Sequence, residues 1–75
     1  MKHELAPHVR NSTFDYLISE YVRYEDDRGM LRDHYFRGKS FMDLSKIYDC
    51  SLTHVKDVIY GIGDPLLIMA AEMDA

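Results

Sequence analysis

A chain of 75 residues has the length of one domain, and its 47% hydrophobic and 29% charged residues are values typical of a globular protein. No apolar run approaches the roughly 20 residues needed to span a bilayer, so we expect no membrane partner. The N-terminus lacks the apolar core of a signal peptide. The single cysteine, Cys50, excludes an internal disulfide and suits a reducing compartment. We therefore expect a cytoplasmic protein.

The net charge of −4 is unevenly distributed along the chain. Residues 1–27 hold three basic and six acidic side chains, residues 28–60 hold six basic and four acidic ones, and residues 61–75 hold three acidic ones. Only the middle part is therefore net positive. Attraction to phosphates depends on how many cations reach the nucleic-acid backbone, so the overall acidity argues against strong indiscriminate binding. If the chain approaches DNA, residues 28–60 are the part that does so.

The first ten residues lack helical periodicity, and Pro7 argues against a helix there. We predict a flexible N-terminal arm over residues 1–10 and one helical domain over residues 11–75. His3 and His8 have no cysteine or further histidine at a spacing that metal sites use. No metal site and no cofactor are predicted.

A first helix is predicted over residues 13–25, with Ser12 as its N-cap and Asp15 completing a capping box. Its aromatic residues could form a stacking platform for bases. An apolar stripe at helical spacing is more often a core or dimer-contact face, however, and we prefer that interpretation. The stripe consists of Phe14, Leu17, Ile18 and Tyr21.

A second helix is predicted to start at the acidic run 25–27, because carboxylates favour the exposed N–H groups of a helix start. Leu31 and Tyr35 lie on its apolar face. Gly38 ends it, since the residue that closes a helix often needs a positive φ, which glycine adopts without a Cβ clash.

Two further short helices follow, separated by a tight turn. Ser40 is a candidate N-cap and Asp43 completes a capping box for a helix over residues 41–48. Asp49 tolerates the left-handed conformation of a turn, and Ser51 can cap the next helix.

That next helix is predicted over residues 52–60 and ends at Gly61. Two helices separated by a turn of about three or four residues form a helix-turn-helix, here within residues 27–61. The fold class predicted is therefore all-α, with four to five helices around a central three-helix unit. The core of this unit should contain Leu44, Ile47, Tyr48, Cys50, Val55, and Val58 or Ile59.

Residues 27–59 resemble a known family. The pattern Asp-Arg-x-x-Leu-Arg-x-x-Tyr-Phe-x-Gly-x-Ser-Phe-x-Asp-Leu-Ser-x-Ile-Tyr-x-Cys-Ser-x-x-x-Val-Lys is similar to the fourth region of primary-type sigma factors and to small phage transcription regulators built on that module. The family usually has alanine where Ser45 stands and glycine where Asp49 stands. Serine is small and aspartate can adopt the turn, so both departures are compatible with the fold.

The resemblance implies a phage or prophage DNA-binding regulator that acts as a homodimer or docked on RNA polymerase. In a helix-turn-helix the second helix enters the major groove and its early residues meet base edges, while flanking cations contact the backbone of double-stranded DNA. The predicted DNA contacts are Arg37, Lys39, Lys46, Ser51, Leu52, Thr53, His54, Lys56, Asp57 and Tyr60.

A last helix is predicted over residues 64–74, after a flexible joint, with Asp64 as N-cap and Pro65 at the first helical position. It is apolar on nearly every side, so it is either buried or bound to a partner. Packing in the core or between two copies is the preferred interpretation, and contact with RNA polymerase is an alternative. The candidate dimer or partner contacts are Leu66, Leu67, Met69, Ala70 and Met73.

No enzyme is predicted, because the sequence shows no nucleophile–base pair, paired carboxylates, phosphate loop or cluster of metal ligands. The main alternative to a DNA-binding regulator is a protein-interaction module with a helix-turn-helix fold. Net acidity, Asp57 and the apolar last helix favour that alternative. A DNA-reading fragment of a nuclease is the least favoured function.

Overall fold

The computed structural model describes residues 9–74, and all the regular secondary structure in this part of the chain is helical, with no strand. The predicted all-α class is confirmed. Within the same residues, no helix combines the length and the apolar composition that crossing a membrane requires. The helices are α1 (Asn11–Tyr21), α2 (Glu25–Tyr35), α3 (Phe41–Ile47), α4 (Leu52–Val58) and α5 (Asp64–Asp74), with a π-helical turn (Ile59–Gly63) between the last two.

The caps of α3 and α4 form as the sequence predicts. The Ser40 hydroxyl accepts the Asp43 N–H at 3.1 Å, and the Asp43 carboxylate accepts the Ser40 N–H at 3.3 Å, so the capping box is complete. The Ser51 hydroxyl accepts the His54 N–H at 3.1 Å at the start of α4. Each cap satisfies an N–H group that has no partner within its helix.

Two residues with positive φ close the joints on either side of α3. Gly38 has φ of 71° in the loop after α2, and Asp49 has φ of 51° in the turn after α3. The Lys39 N–H donates to the Asp33 carbonyl at 3.0 Å and so closes the loop around Gly38. The sequence predicted both positions.

The start of α1 is capped from the far end of the chain, so the predicted Ser12–Asp15 capping box is wrong. The helix begins at Asn11, which places Ser12 inside it. The cap is supplied by the Asp74 carboxylate of α5, which accepts the Arg10 N–H at 2.8 Å and the Thr13 hydroxyl at 3.0 Å.

The predicted flexible arm lies mostly outside the described residues, which begin at Val9. For residues 1–8 the prediction therefore falls outside the described part of the chain. For Val9 and Arg10 the prediction is wrong: Val9 is buried in the core, and the backbone of Arg10 is hydrogen-bonded to Asp74.

The flexible joint predicted before α5 does not exist, because α4 continues into α5 without leaving helical conformation. Ile59 and Asp64 both have right-handed helical backbone angles, and the Asp64 N–H donates to the Ile59 carbonyl, five residues earlier. Pro65 explains the wider turn. Its ring lacks an N–H and would clash with the carbonyl of Gly61 in a regular α-helix, and a π turn relieves that crowding without ending the helix.

The core lies where α1, α2 and the long α4–α5 run meet. Helix α2 is central, since it packs against α1, α3, α4 and the π turn, while α1 also packs along α5. Two predicted core residues are instead exposed, Tyr21 by 64% and Ile47 by 54%. Each is the last residue of its helix. After Tyr21 the backbone becomes extended, and the next residue, Val22, is buried in its place. The core consists of Val9, Phe14, Leu17, Ile18, Val22, Met30, Leu31, Leu44, Val55, Val58, Ile59, Leu66 and Ala70.

Candidate nucleic-acid interface

Helices α3 and α4 form a pair of short helices on one side of α2. Residues 48–51 join them, and both helices contact α2 as well as each other. Leu44 on α3 and Val55 on α4 are both fully buried, so the pair shares one core with the rest of the domain. The orientation of the α4 surface is therefore set by packing on two other helices.

A buried carboxylate fixes the α3–α4 turn to α2. The Tyr48 hydroxyl donates to Asp33 at 2.8 Å, and the Arg37 guanidinium donates to the other oxygen of the same carboxylate. Asp33 is only 9% exposed, and a buried carboxylate needs hydrogen-bond partners. Tyr48 and Arg37 supply them. Burial of the tyrosine, together with the bond to Asp33, raises the pKa of Tyr48 to about 12.

This raised pKa gives a prediction for alkaline pH. Because the folded state holds the Tyr48 proton more tightly than the unfolded chain does, its contribution to stability is complete below pH 10 and is lost as the pH rises towards 12. We expect Tyr48→Phe to lower the free energy of unfolding by about 1 kcal/mol at neutral pH, through loss of the hydrogen bond. The difference from wild type should shrink above pH 10.

Urea unfolding at several pH values measures this difference. Tyr21→Phe is the matched control, because that side chain is exposed at the end of α1. A gap between wild type and Tyr48→Phe that stays constant between pH 8 and about pH 12 would contradict the predicted role of the hydroxyl.

The outward face of α4 carries polar side chains at helical spacing. Thr53, Lys56 and Asp57 on α4 and Tyr60 in the π turn are all exposed, and each of Lys56 and Asp57 lies three or four residues from both Thr53 and Tyr60. Leu52 is 38% exposed beside them. Among residues 9–74, neither the Lys56 ammonium nor the Asp57 carboxylate has an ion-pair or hydrogen-bond partner. Both charges are therefore directed to water and are available to a ligand.

The cations predicted to flank α4 are also on the surface. Arg37, Lys39 and Lys46 are all exposed, and Arg37 keeps one side of its guanidinium on Asp33. Ser51 is exposed as well, with its hydroxyl oxygen engaged as the cap of α4. The hydroxyl hydrogen of Ser51 remains able to donate to an acceptor.

A row of aromatic rings that the sequence pattern did not predict reaches Tyr60 from the interior. The Tyr60 ring meets Phe41 edge-on at 5.6 Å between centroids, Phe41 lies 5.1 Å from His34, and His34 lies 5.0 Å from Tyr35. Such contacts fix ring orientation. Tyr60 therefore packs with one edge on Phe41 and remains 46% exposed, beyond the end of α4.

An acidic cleft borders the first turn of α4. Its lining includes the run 25–27 at the start of α2, together with Tyr24 and His54. The His54 Nε2 atom is 4.0 Å from an Asp27 carboxylate oxygen. The sequence predicts these carboxylates only as a helix start, because their approach to α4 depends on how α2 packs. The cleft would repel phosphates on that side of the helix.

The candidate partner contacts on α5 are divided between core and surface. Leu66 is 6% exposed and Ala70 is fully buried, so their side chains serve the core and cannot be surface contacts. This corrects the prediction for these two residues. Leu67 and Met69 are partly buried against the core, while Met73 is 55% exposed. Ile68, which was not among the candidates, is 63% exposed.

Over residues 9–74, no group of three His, Cys, Asp or Glu side chains is placed to hold a metal ion. No family model matches the chain, and no match is found among curated proteins or solved structures. The class of protein that the geometry defines is an all-helical domain whose two short helices pack together on a third.

Proposed function

We propose that this protein is a sequence-specific DNA-binding transcriptional regulator that uses a helix-turn-helix within residues 27–61. The observation that carries the proposal is the exposed polar face of α4, held outward by the packing of α3 and α4 on α2. In a helix-turn-helix this second helix of the pair, residues 51–60, enters the major groove. The adjacent exposed cations add attraction to the phosphates.

The exposed side chains have distinct tasks in this proposal. Leu52 and the Thr53 methyl group contact thymine methyl groups, and Lys56 donates to guanine or to a phosphate. The Ser51 hydroxyl donates to a phosphate oxygen. The remaining backbone contacts come from Arg37, Lys39 and Lys46.

The origin of the protein, its protein partner and its oligomeric state are proposed on other grounds. The resemblance to the fourth region of sigma factors supports a phage or prophage regulator that docks on RNA polymerase. The small core of a 75-residue chain supports a homodimer, since such domains are marginally stable alone. A regulator of this kind needs neither an enzymatic activity nor a cofactor.

Salt-dependent binding to duplex DNA tests the proposal. We expect Lys56→Ala and Lys46→Ala each to weaken binding at low salt. A variant that loses one phosphate contact should also lower the slope of log affinity against log salt by about 1. Arg10→Ala is the matched control, because it removes the same charge at the exposed start of α1. If Lys56→Ala and Lys46→Ala bind like Arg10→Ala, the α4 surface does not contact DNA.

The second candidate is a protein-interaction module, bound to RNA polymerase or another regulator. The acidic cleft beside α4 favours it, as do the exposed apolar side chains of Met42 and Ile47 on α3. Binding of this kind should be lost on Met42→Asp or Ile47→Asp, which place a charge on the exposed apolar surface of α3. It should survive Lys56→Ala, which separates the two functions.

A further inference from the structure

We propose that Asp57 makes the α4 surface selective for cytosine, and that Lys56 and Asp57 together read one G·C base pair. This inference rests on the proposed DNA-binding function. It adds the chemical identity of a base pair in the target.

Two opposite charges on the outer surface of α4 are available to a ligand. Lys56 and Asp57 are consecutive, exposed, and without an ion-pair or hydrogen-bond partner among residues 9–74. The buried Val55 and Val58 on either side of them fix the rotation of α4. Asp57 therefore lies on the same outward face as Thr53 and cannot turn towards the core. Any ligand that covers this face must accommodate a carboxylate.

A carboxylate can only accept hydrogen bonds, and the major groove offers it two donors. These are the N4 amino group of cytosine and the N6 amino group of adenine. In an A·T pair the amino group lies between two acceptors, adenine N7 and thymine O4, and both repel a carboxylate. In a G·C pair the amino group of cytosine has one neighbouring acceptor, guanine O6. Cytosine is therefore the favoured partner of Asp57.

Lys56 supplies the complementary half of this recognition. Its ammonium only donates, and guanine O6 and N7 are the strongest acceptors in the groove. Contact with guanine also places a positive charge beside Asp57, which lowers the repulsion between the carboxylate and the phosphates. A single G·C pair thus satisfies both side chains. A base pair that turns only acceptors towards Asp57 should weaken binding about tenfold or more.

Selection from a pool of random DNA duplexes tests the inference with wild type, Asp57→Asn and Asp57→Ala. We expect the sites bound by wild type to share a cytosine at one position. Asp57→Asn should shift the preference towards adenine, because an amide can pair with adenine N6 and N7 together, and Asp57→Ala should select this position less strictly, since only Lys56 then favours the G·C pair. The other selected positions should remain unchanged. Glu72→Gln, which removes an exposed acidic charge from α5, is the control and should select the wild-type sites.

A second measurement compares affinities for the best wild-type site before and after its cytosine is replaced. Wild type should lose at least about tenfold in affinity, and Asp57→Ala should lose several-fold less, because only its Lys56 contact with guanine is then removed. An equal loss in both proteins overturns the inference, as does selection of sites without a shared cytosine. Either result would overturn only this inference, and the proposed DNA-binding function would still stand. If wild type enriches no sequence at all, the proposed function and this inference both fail.

Discussion

Alanine in place of Phe14 is expected to remove a large share of the free energy of unfolding. The Phe14 ring is fully buried and meets the rings of Tyr35 and Phe36 edge-on, with centroids 5.0 and 5.8 Å away. Replacing a buried phenylalanine with alanine costs about 3–5 kcal/mol, because the cavity is only partly refilled. A domain of this size has a total stability of roughly 4–11 kcal/mol.

Chemical denaturation followed by circular dichroism measures this loss. Tyr16→Ala is the matched control, since it removes an aromatic ring from the same helix at a position that is 55% exposed. We expect that variant to stay within about 0.5 kcal/mol of wild type. Similar losses in both variants would mean that α1 does not pack on its Phe14 face.

The second large effect is expected for Gly63→Ala, which should lower the free energy of unfolding by about 1–3 kcal/mol. A Cβ added at Gly63 would lie 2.8 Å from the Leu31 Cδ2 atom and 2.8 Å from two atoms of the Tyr35 ring system. Leu31 is fully buried, and the Tyr35 hydroxyl donates to Asp64 at 2.6 Å. Neither side chain can move away without losing its own contacts.

Gly61→Ala is the control for Gly63→Ala, because it makes the same change in the same π turn. A Cβ at Gly61 would meet no atom within 4 Å, so only the backbone effect of the substitution remains. Alanine favours helix over glycine by about 1 kcal/mol in an α-helix interior, and we expect Gly61→Ala to be neutral or slightly stabilising. Thermal unfolding of Gly63→Ala and Gly61→Ala, each compared with wild type, tests both expectations. Equal destabilisation would contradict the close approach of the π turn to α2.

The helix ends around α3 could be predicted from sequence because each depends on a few consecutive residues. Ser40 with Asp43 closes a capping box across three residues, and Gly38 and Asp49 take the positive φ angles that their turns require. The periodicity of α4 also placed Val55 inside and Thr53 outside. Such features need no knowledge of distant parts of the chain.

The features that were predicted incorrectly depend on contacts between distant residues. The cap of α1 is Asp74, which lies 64 residues after Arg10, so no local motif identifies it. Gly61 and Pro65 suggested a break in the helix. The chain instead remains helical where the π turn fits closely against α2.

The same reason limits the prediction of the candidate site. Leu66 and Ile68 are both apolar residues of α5, yet one is 6% exposed and the other 63%. A helix that is apolar on nearly every side gives no periodic signal to distinguish them. The acidic cleft was also unpredictable, because it forms only where the start of α2 meets the first turn of α4.

Selection from pooled random duplexes, at low and at moderate salt, tests the proposed DNA-binding function most directly. We predict enrichment of a defined sequence by wild type, weaker binding at the higher salt, and weaker enrichment with Lys56→Ala. Absence of enrichment at low salt, where a cationic surface attracts DNA most strongly, would contradict the proposal. Enrichment that Lys56→Ala leaves unchanged would show that DNA binds away from α4.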